Sequence, residues 1–478
     1  MELRYLQKIN SPEDLRKIPI DELPILAKEL RHVICEQVKV SGGHLAPNLG
    51  VVELTIALHF VFDFALDRLL FDVGHQCYTH KLLTGRYHLL DKLRKQGGMS
   101  GFPNPDESPY DLFAVGHAGT SISTGVGMAR GDTLSGEAFD PKSNENGRRV
   151  VAFVGDGSIV NGVAMEGLNN AGTLKRQFLV VLNDNGMSIA HPQGAISAYF
   201  DHLRVGQTYR SLKQTAKKVM GKLPGGSILG DFSHRMTEMM KDALSSDSWF
   251  EHFGLLAVGP IDGHDLPSLI AVLIEIKDVD RPLLLHVHTT KGKGFKYAEQ
   301  NSTAFHSPKP FEVVKDKVKT KTSGRSFTTA FSDAMIDLMS HDEGIVAATA
   351  AMPDGTGIDK VMERFPNRSW DTGLCESHAF DMLAGMAKTG FKPFFAVYST
   401  FLQRAFDQAF QEAALQGLPV RLCIDRAGVV GGDGAVHHGF CDIALLRVLP
   451  NSALMAAIDE PSLRESLAFM SDYESGLS

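Results

Sequence analysis

Val150-Val-Ala-Phe-Val-Gly-Asp-Gly-Ser158 and Phe178-Leu-Val-Val-Leu-Asn-Asp-Asn185 decide the fold. Two apolar runs of strand length flank a Gly-Asp-Gly turn and a helix-like segment carrying Met165, Leu168 and Ala171. A short, wholly apolar run suits a strand buried on both faces, as in a parallel sheet covered by helices. The unit reads as strand–turn–helix–strand, with polar residues at the carboxyl ends of both strands. Open α/β sheets bind ligands at those ends. Gly155 and Gly157 let a backbone approach a bulky anion. The N–H groups that open the next helix would face that anion. Asp156 would repel a phosphate unless a cation lies between them. Asn185, 29 residues further on, offers a neutral oxygen. One carboxylate, one amide oxygen and phosphate oxygens suit Mg²⁺. A lone Gly-Asp-Gly would pass as an ordinary turn with a solvated aspartate. The Asn-Asp-Asn that ends the next strand turns the reading toward a metal–phosphate site.

Working outward, 478 residues exceed one core, so two or three domains are expected. A net charge of −8 argues against nucleic-acid binding and leaves anionic substrates to local arginines and lysines. The five cysteines are scattered without a C-x-x-C pair, which suggests a reducing compartment and neither disulfides nor zinc. No apolar run reaches the length of a membrane span, and no leader is apparent, so a cytoplasmic location is expected. Residues 11–40 read as helical, 41–50 as a loop, Val51–Phe62 as a buried helix and Leu69–Val73 as a strand. Residues 97–110 read as a loop, 131–149 as a polar surface insertion and 201–250 as helical stretches around Gly225-Gly226. Leu283–His288 is another strand. The domains expected are 1–300 and 326–478. Residues 301–325 would join them as a linker whose alternating lysines are solvated. The second α/β unit has strands at Gly344–Ala348, Phe394–Tyr398 and Val420–Ile424 and a late helix at Pro461–Met470.

Longer runs now carry a resemblance. They are Ser41-Gly-Gly-His-Leu-Ala-Pro-Asn-Leu-Gly50, Asp72-Val-Gly-His-Gln76 and His80-Lys-Leu-Leu-Thr-Gly-Arg86. Gly259-Pro-Ile-Asp-Gly-His264, Tyr398-Ser-Thr-Phe-Leu-Gln-Arg404 and Asp425-Arg-Ala-Gly428 join them. With the Gly-Asp-Gly…Asn-Asp-Asn spacing, the chain resembles transketolase-like thiamine diphosphate enzymes and, among them, the 1-deoxy-D-xylulose-5-phosphate synthase family. The resemblance extends from about residue 5 to residue 470. It implies two α/β domains, one for the cofactor's diphosphate and one for its aminopyrimidine, and a homodimer. The implied reaction joins pyruvate to D-glyceraldehyde 3-phosphate with loss of CO₂, the first step of non-mevalonate isoprenoid synthesis.

The resemblance also assigns residues. Asp156, Asn185 and the carbonyl of Met187 would hold Mg²⁺. His75, Gly116-His117-Ala118, Gly157, Ser158 and Lys291 match cofactor-contacting positions. Gly119 stands where the family more often has Ser, which removes a hydroxyl and keeps the N–H. Glu376 would activate the cofactor through its pyrimidine ring, against which Phe401 would stack. Burial would raise the Glu376 pKa and a helix N-terminus would lower it, and the residues leave that contest open. His44, His306 and His437 match proton-handling positions, whereas His438 receives no role. Tyr398, Arg404, Arg426 and Asp433 match the acceptor-phosphate site, where an Arg fork suits phosphate oxygens.

The chain ends at Ser478, before the family's Arg-Tyr-Pro-Arg-Gly type motif and third α/β domain. The expectation is a chain without that domain and with one phosphate-binding arginine fewer, which a separate polypeptide could supply. Two rival readings stay open. One is another thiamine-dependent carboligase or ketol transferase, and the other is a non-catalytic paralogue acting as a binding partner.

Overall fold

The structure, a computed structural model, describes residues 1–186, 194–196, 249–320 and 324–478. Its contacts divide into two compact units, and the chain passes from one to the other between Asp316 and Lys317.

In the first unit, strands β1 (Arg68–Phe71), β2 (Val150–Gly155), β3 (Phe178–Asp184), β4 (Leu256–Asp262) and β5 (Pro282–His288) form one sheet in the order β1-β2-β3-β5-β4. Every pairing is parallel. The two apolar runs are therefore inner strands, and all of β3 is buried. Val150, Ala152 and Val154 share a face with Phe178, Val180 and Leu182, the period of two that a strand imposes. That face packs on Ile122, Val126 and Ala129 of helix Ser121–Ser135 and on Ala164, Leu168 and Ala171 of helix Gly162–Ala171. Fully burying each larger aliphatic or aromatic side chain contributes about 1.5–3 kcal/mol. The sheet is thereby a rigid platform for the loops at its carboxyl edge.

Several expectations need correction. The helical stretch 11–40 is broken: Pro12–Arg16 is one helix and Leu23–Ser41 another. Between them Pro19 is extended, and a proline inside a helix has no N–H to donate. The polar segment 131–149 is helical at its start, because helix Ser121–Ser135 continues to a left-handed C-cap at Gly136. An exposed polar helix end carries no apolar period to reveal it. Strand β4 was not foreseen, since Pro260 lies inside it. Proline is tolerated there because β4 is the sheet's edge. The helices expected over 201–250 lie outside the described residues, apart from the start of the short helix Trp249–Phe253.

The expected linker contains structure of its own. Strands β6 (Phe311–Val314) and β7 (Lys317–Thr320) are joined by Lys315-Asp316, both with left-handed φ (48° and 57°). Lys315, Lys317 and Lys319 are exposed.

The second unit is a parallel sheet in the order β11-β10-β8-β9, with β8 Ile345–Thr349, β9 Ser369–Asp371, β10 Lys392–Tyr398 and β11 Arg421–Asp425. Three of these strands lie within one or two residues of the expected spans, while three-residue β9 was too short to show a pattern. Helices Phe327–His341 and Glu376–Lys388 pack on the sheet, and Glu460–Asp472 covers the expected late helix. No described helix is long and apolar enough to cross a membrane.

Candidate active site

In the first unit the register Gly155↔Asn183 brings Asp156 and Asn185 together at the ends of adjacent strands. Asp156 is buried. Its Oδ1 accepts from the N–H of Gly157 at 2.9 Å, and its Oδ2 from those of Gly186 at 2.8 Å and Asn185 at 3.3 Å. The Asp156 carboxylate and the Asn185 backbone thus meet where the two strands end, and a carboxylate and a side-chain amide are the hard oxygen donors Mg²⁺ prefers. Met187 lies outside the described residues. Among the described residues, no atom beyond its chain neighbours comes within 4 Å of where a Gly155 Cβ would be, so the turn is open on that side. Gly157 and Ser158 are buried in the short helix Asp156–Ile159. Lys291, just beyond β5, is also buried; burial lowers its pKa to about 8, and the Asp156 charge opposes that shift.

Three imidazoles cluster in the same unit. Ring centroids of His44, His75 and His306 lie 5.5, 5.7 and 5.3 Å apart pairwise. Asn48 ties two of them together by donating to the carbonyls of His44 (2.7 Å) and His75 (2.8 Å). His306 is held well below the ordinary imidazole range, first by burial, then by the positive Lys291 and the other two rings. It is therefore neutral at pH 7. His75 follows a strained turn in which Val73 has φ 58°. A β-branched residue there is costly, of order 1–3 kcal/mol, and such strain gathers at functional sites.

The Gly116-His117-Ala118 loop is held from behind. Buried Asp72 accepts from the N–H groups of Gly119 (2.8 Å) and Ser121 (3.0 Å). Gly119 has φ +87°, and a Cβ there would fall 2.3 Å from Asn161 Oδ1. That explains why this chain has glycine where the family pattern offers serine. Asp72 and Asn48 both lie in runs quoted above, yet they were not singled out. Asp72 ends its strand as Asp156 ends β2, and that parallel was the available signal.

In the second unit, Glu376 opens helix Glu376–Lys388 and is 2% exposed. The contest left open by the sequence is decided by burial, which raises its pKa against the opposing Arg404 cation and a backbone N–H. Arg404, expected at the acceptor phosphate, has Nη1 3.5 Å from Glu376 Oε2. Its backbone carbonyl accepts from the Ser377 hydroxyl at 2.9 Å. The remaining residues form a second group. Phe401 stacks on Tyr398 with centroids 5.7 Å apart, and His437 meets the Phe401 ring edge-on at 5.7 Å. The Arg426 guanidinium lies 3.9 Å above the Tyr398 ring and donates to Gly355 O at 2.9 Å. Burial pushes the Tyr398 phenol up, and the nearby Asp433 charge adds to this. His438, given no role above, accepts from the Val430 N–H through Nδ1 at 3.0 Å.

The first unit thus holds a buried aspartate at a strand end and three clustered imidazoles, and the second holds a buried glutamate and a stacked aromatic pair. With residues 323–475 matching the transketolase pyrimidine-binding domain, the class is transketolase-like. Residues 6–289 match the model for 1-deoxy-D-xylulose-5-phosphate synthase, and the chain belongs to that family. The 1-deoxy-D-xylulose-5-phosphate synthase 1 of Geobacter sulfurreducens is 47% identical over 464 residues, covering 97% of this chain and 71% of the relative. Transketolases of Leishmania mexicana (17% identity, TM-score 0.43) and Pichia stipitis (16%, 0.42) are more distant structural matches, each covering 96% of this chain and 76% of theirs.

Proposed function

We propose that this chain catalyses the thiamine diphosphate- and Mg²⁺-dependent condensation of pyruvate with D-glyceraldehyde 3-phosphate. The products are 1-deoxy-D-xylulose 5-phosphate and CO₂. The observation that carries the reading is buried Asp156, bonded to the backbone N–H groups of Asn185 and Gly186 where two adjacent strands end, the place where an open α/β sheet takes its ligands. Asp156 and Asn185 would hold the cation, with Lys291 and the 116–118 loop toward the diphosphate. The bound cofactor supplies an electron sink, and the protein supplies orientation and proton handling. Glu376, desolvated and raised in pKa, keeps a proton within reach of a basic ring nitrogen. Neutral His306, with His44 beside it, serves carbonyl and hydroxyl oxygens as donor or acceptor. Arg426 would exchange its Gly355 carbonyl contact for the acceptor's phosphate while Tyr398 supports its guanidinium face. We also infer a homodimer acting on these small molecules.

The test is CO₂ release from pyruvate with and without glyceraldehyde 3-phosphate, with product identified by NMR. Product that requires both substrates supports the reading. CO₂ release that leads to another product would make the chain a different carboligase. No release in the presence of cofactor and Mg²⁺ would rule out catalysis.

A further inference from the structure

The run Gly259-Pro-Ile-Asp-Gly-His264 has no part in the site described so far. His264 is nearly buried, with 13% of its side chain exposed. Both of its ring nitrogens are engaged. Nδ1 lies 3.0 Å from Glu53 Oε2, and Nε2 lies 2.8 Å from the backbone N of Thr290. An N–H can only donate, so Nε2 must accept, and the ring proton sits on Nδ1 facing Glu53. Glu53 is itself forked onto both terminal nitrogens of Arg31. The same guanidinium also donates to the Leu49 carbonyl from Nε (3.3 Å) and Nη2 (3.1 Å). Burial alone would raise the Glu53 pKa, but Arg31 and His264 hold it at about 2, so it remains a carboxylate. The chain Arg31–Glu53–His264 therefore presents one fixed acceptor to Thr290.

The next residue is Lys291. Its turn is anchored on either side by Thr289 N–H to Asp184 O and Gly292 N–H to Ala46 O, both at 2.9 Å. The His264 bond holds the middle. The fit is close, since a Cβ at Gly50 would lie 3.1 Å from the Thr290 carbonyl oxygen.

We propose that His264 is a positioning residue: locked by Glu53 and Arg31, it fixes the Thr290 backbone and thereby aims Lys291 at the cofactor's diphosphate. The inference rests on the diphosphate reading given above. It places a working role on a histidine that touches neither cofactor nor substrate.

Thiamine diphosphate with Mg²⁺, titrated calorimetrically into the full chain and its variants, tests it. His264→Phe keeps the ring volume and removes both nitrogens. His264→Gln can offer an amide oxygen to Thr290, because Gln Oε1 sits where His Nε2 does. His264→Phe should weaken cofactor affinity about tenfold, the scale of one lost hydrogen bond. His264→Gln should restore most of that affinity. Added to Lys291→Ala, His264→Phe should cost nothing more, since both act through one side chain. Unchanged affinity in His264→Phe, or losses that add in the double variant, overturns the inference while the diphosphate reading stands. No binding by the wild-type chain overturns the reading itself and the inference with it. Should His264→Phe fail to fold, His264→Gln is compared with His264→Asn, which reaches Glu53 but falls short of Thr290. Equal affinities in that pair also overturn the inference.

Discussion

Two buried carboxyl groups, one in each unit, each open a helix, yet they are held in different ways. Asp156 is surrounded by the backbone donors of Gly157, Asn185 and Gly186. Glu376 has one cation, Arg404, at the limit of hydrogen-bond range and one backbone N–H, and burial outweighs both. The first environment orients both oxygens and suits a ligand for a cation. The second destabilises the charged form and suits a group that exchanges a proton. The lesson is that burial alone does not define a role; the donors around the carboxyl group do.

The sharpest way to break the comparison is Asp156→Ala. Calorimetry should show loss of Mg²⁺-dependent thiamine diphosphate binding, and an affinity near wild type would remove the metal assignment. Glu376→Gln should do the reverse, binding cofactor normally but exchanging its thiazolium C2 proton about 10²–10⁴-fold more slowly by quenched-flow NMR. Normal exchange would place the activating acid elsewhere.

Arg404→Met separates two roles for that arginine. Because its charge opposes the effect of burial on Glu376, removal should raise the Glu376 pKa further. The limb of the kcat/KM profile that reports Glu376 should then move to higher pH. An unmoved limb with a raised KM for glyceraldehyde 3-phosphate would return Arg404 to the acceptor site alone.

The smallest effect concerns stability. Burial holds the folded Lys291 pKa at about 8, below the ordinary lysine value of 10.5. Between those values the unfolded chain binds more protons, so this residue makes apo-protein stability rise with pH across that window. Lys291→Met should flatten that rise and increase the apo Tm near pH 7, at roughly 2–4 °C per kcal/mol relieved. A steeper pH dependence in the variant would contradict the buried-ammonium account.

Much of this was legible in the residues. The unbroken apolar runs 150–154 and 178–182 announced inner parallel strands, because only a strand covered on both faces lacks polar alternation. Strand β4 escaped because its proline is permitted by edge position, which is a property of the sheet and not of the segment. Asn48, Asp72 and His264 escaped because each bonds to backbone groups 26 to 49 residues away.

The sequence by itself determined the two α/β units and the family, since local periodicity and motif spacing encode these. Only the tertiary structure decided that Glu376 is raised by burial, that Arg404 stands beside it, and that Gly119 must be glycine. The physical reason is common to all three. Desolvation, charge proximity and steric exclusion depend on what surrounds an atom in space, and those neighbours come from distant parts of the chain.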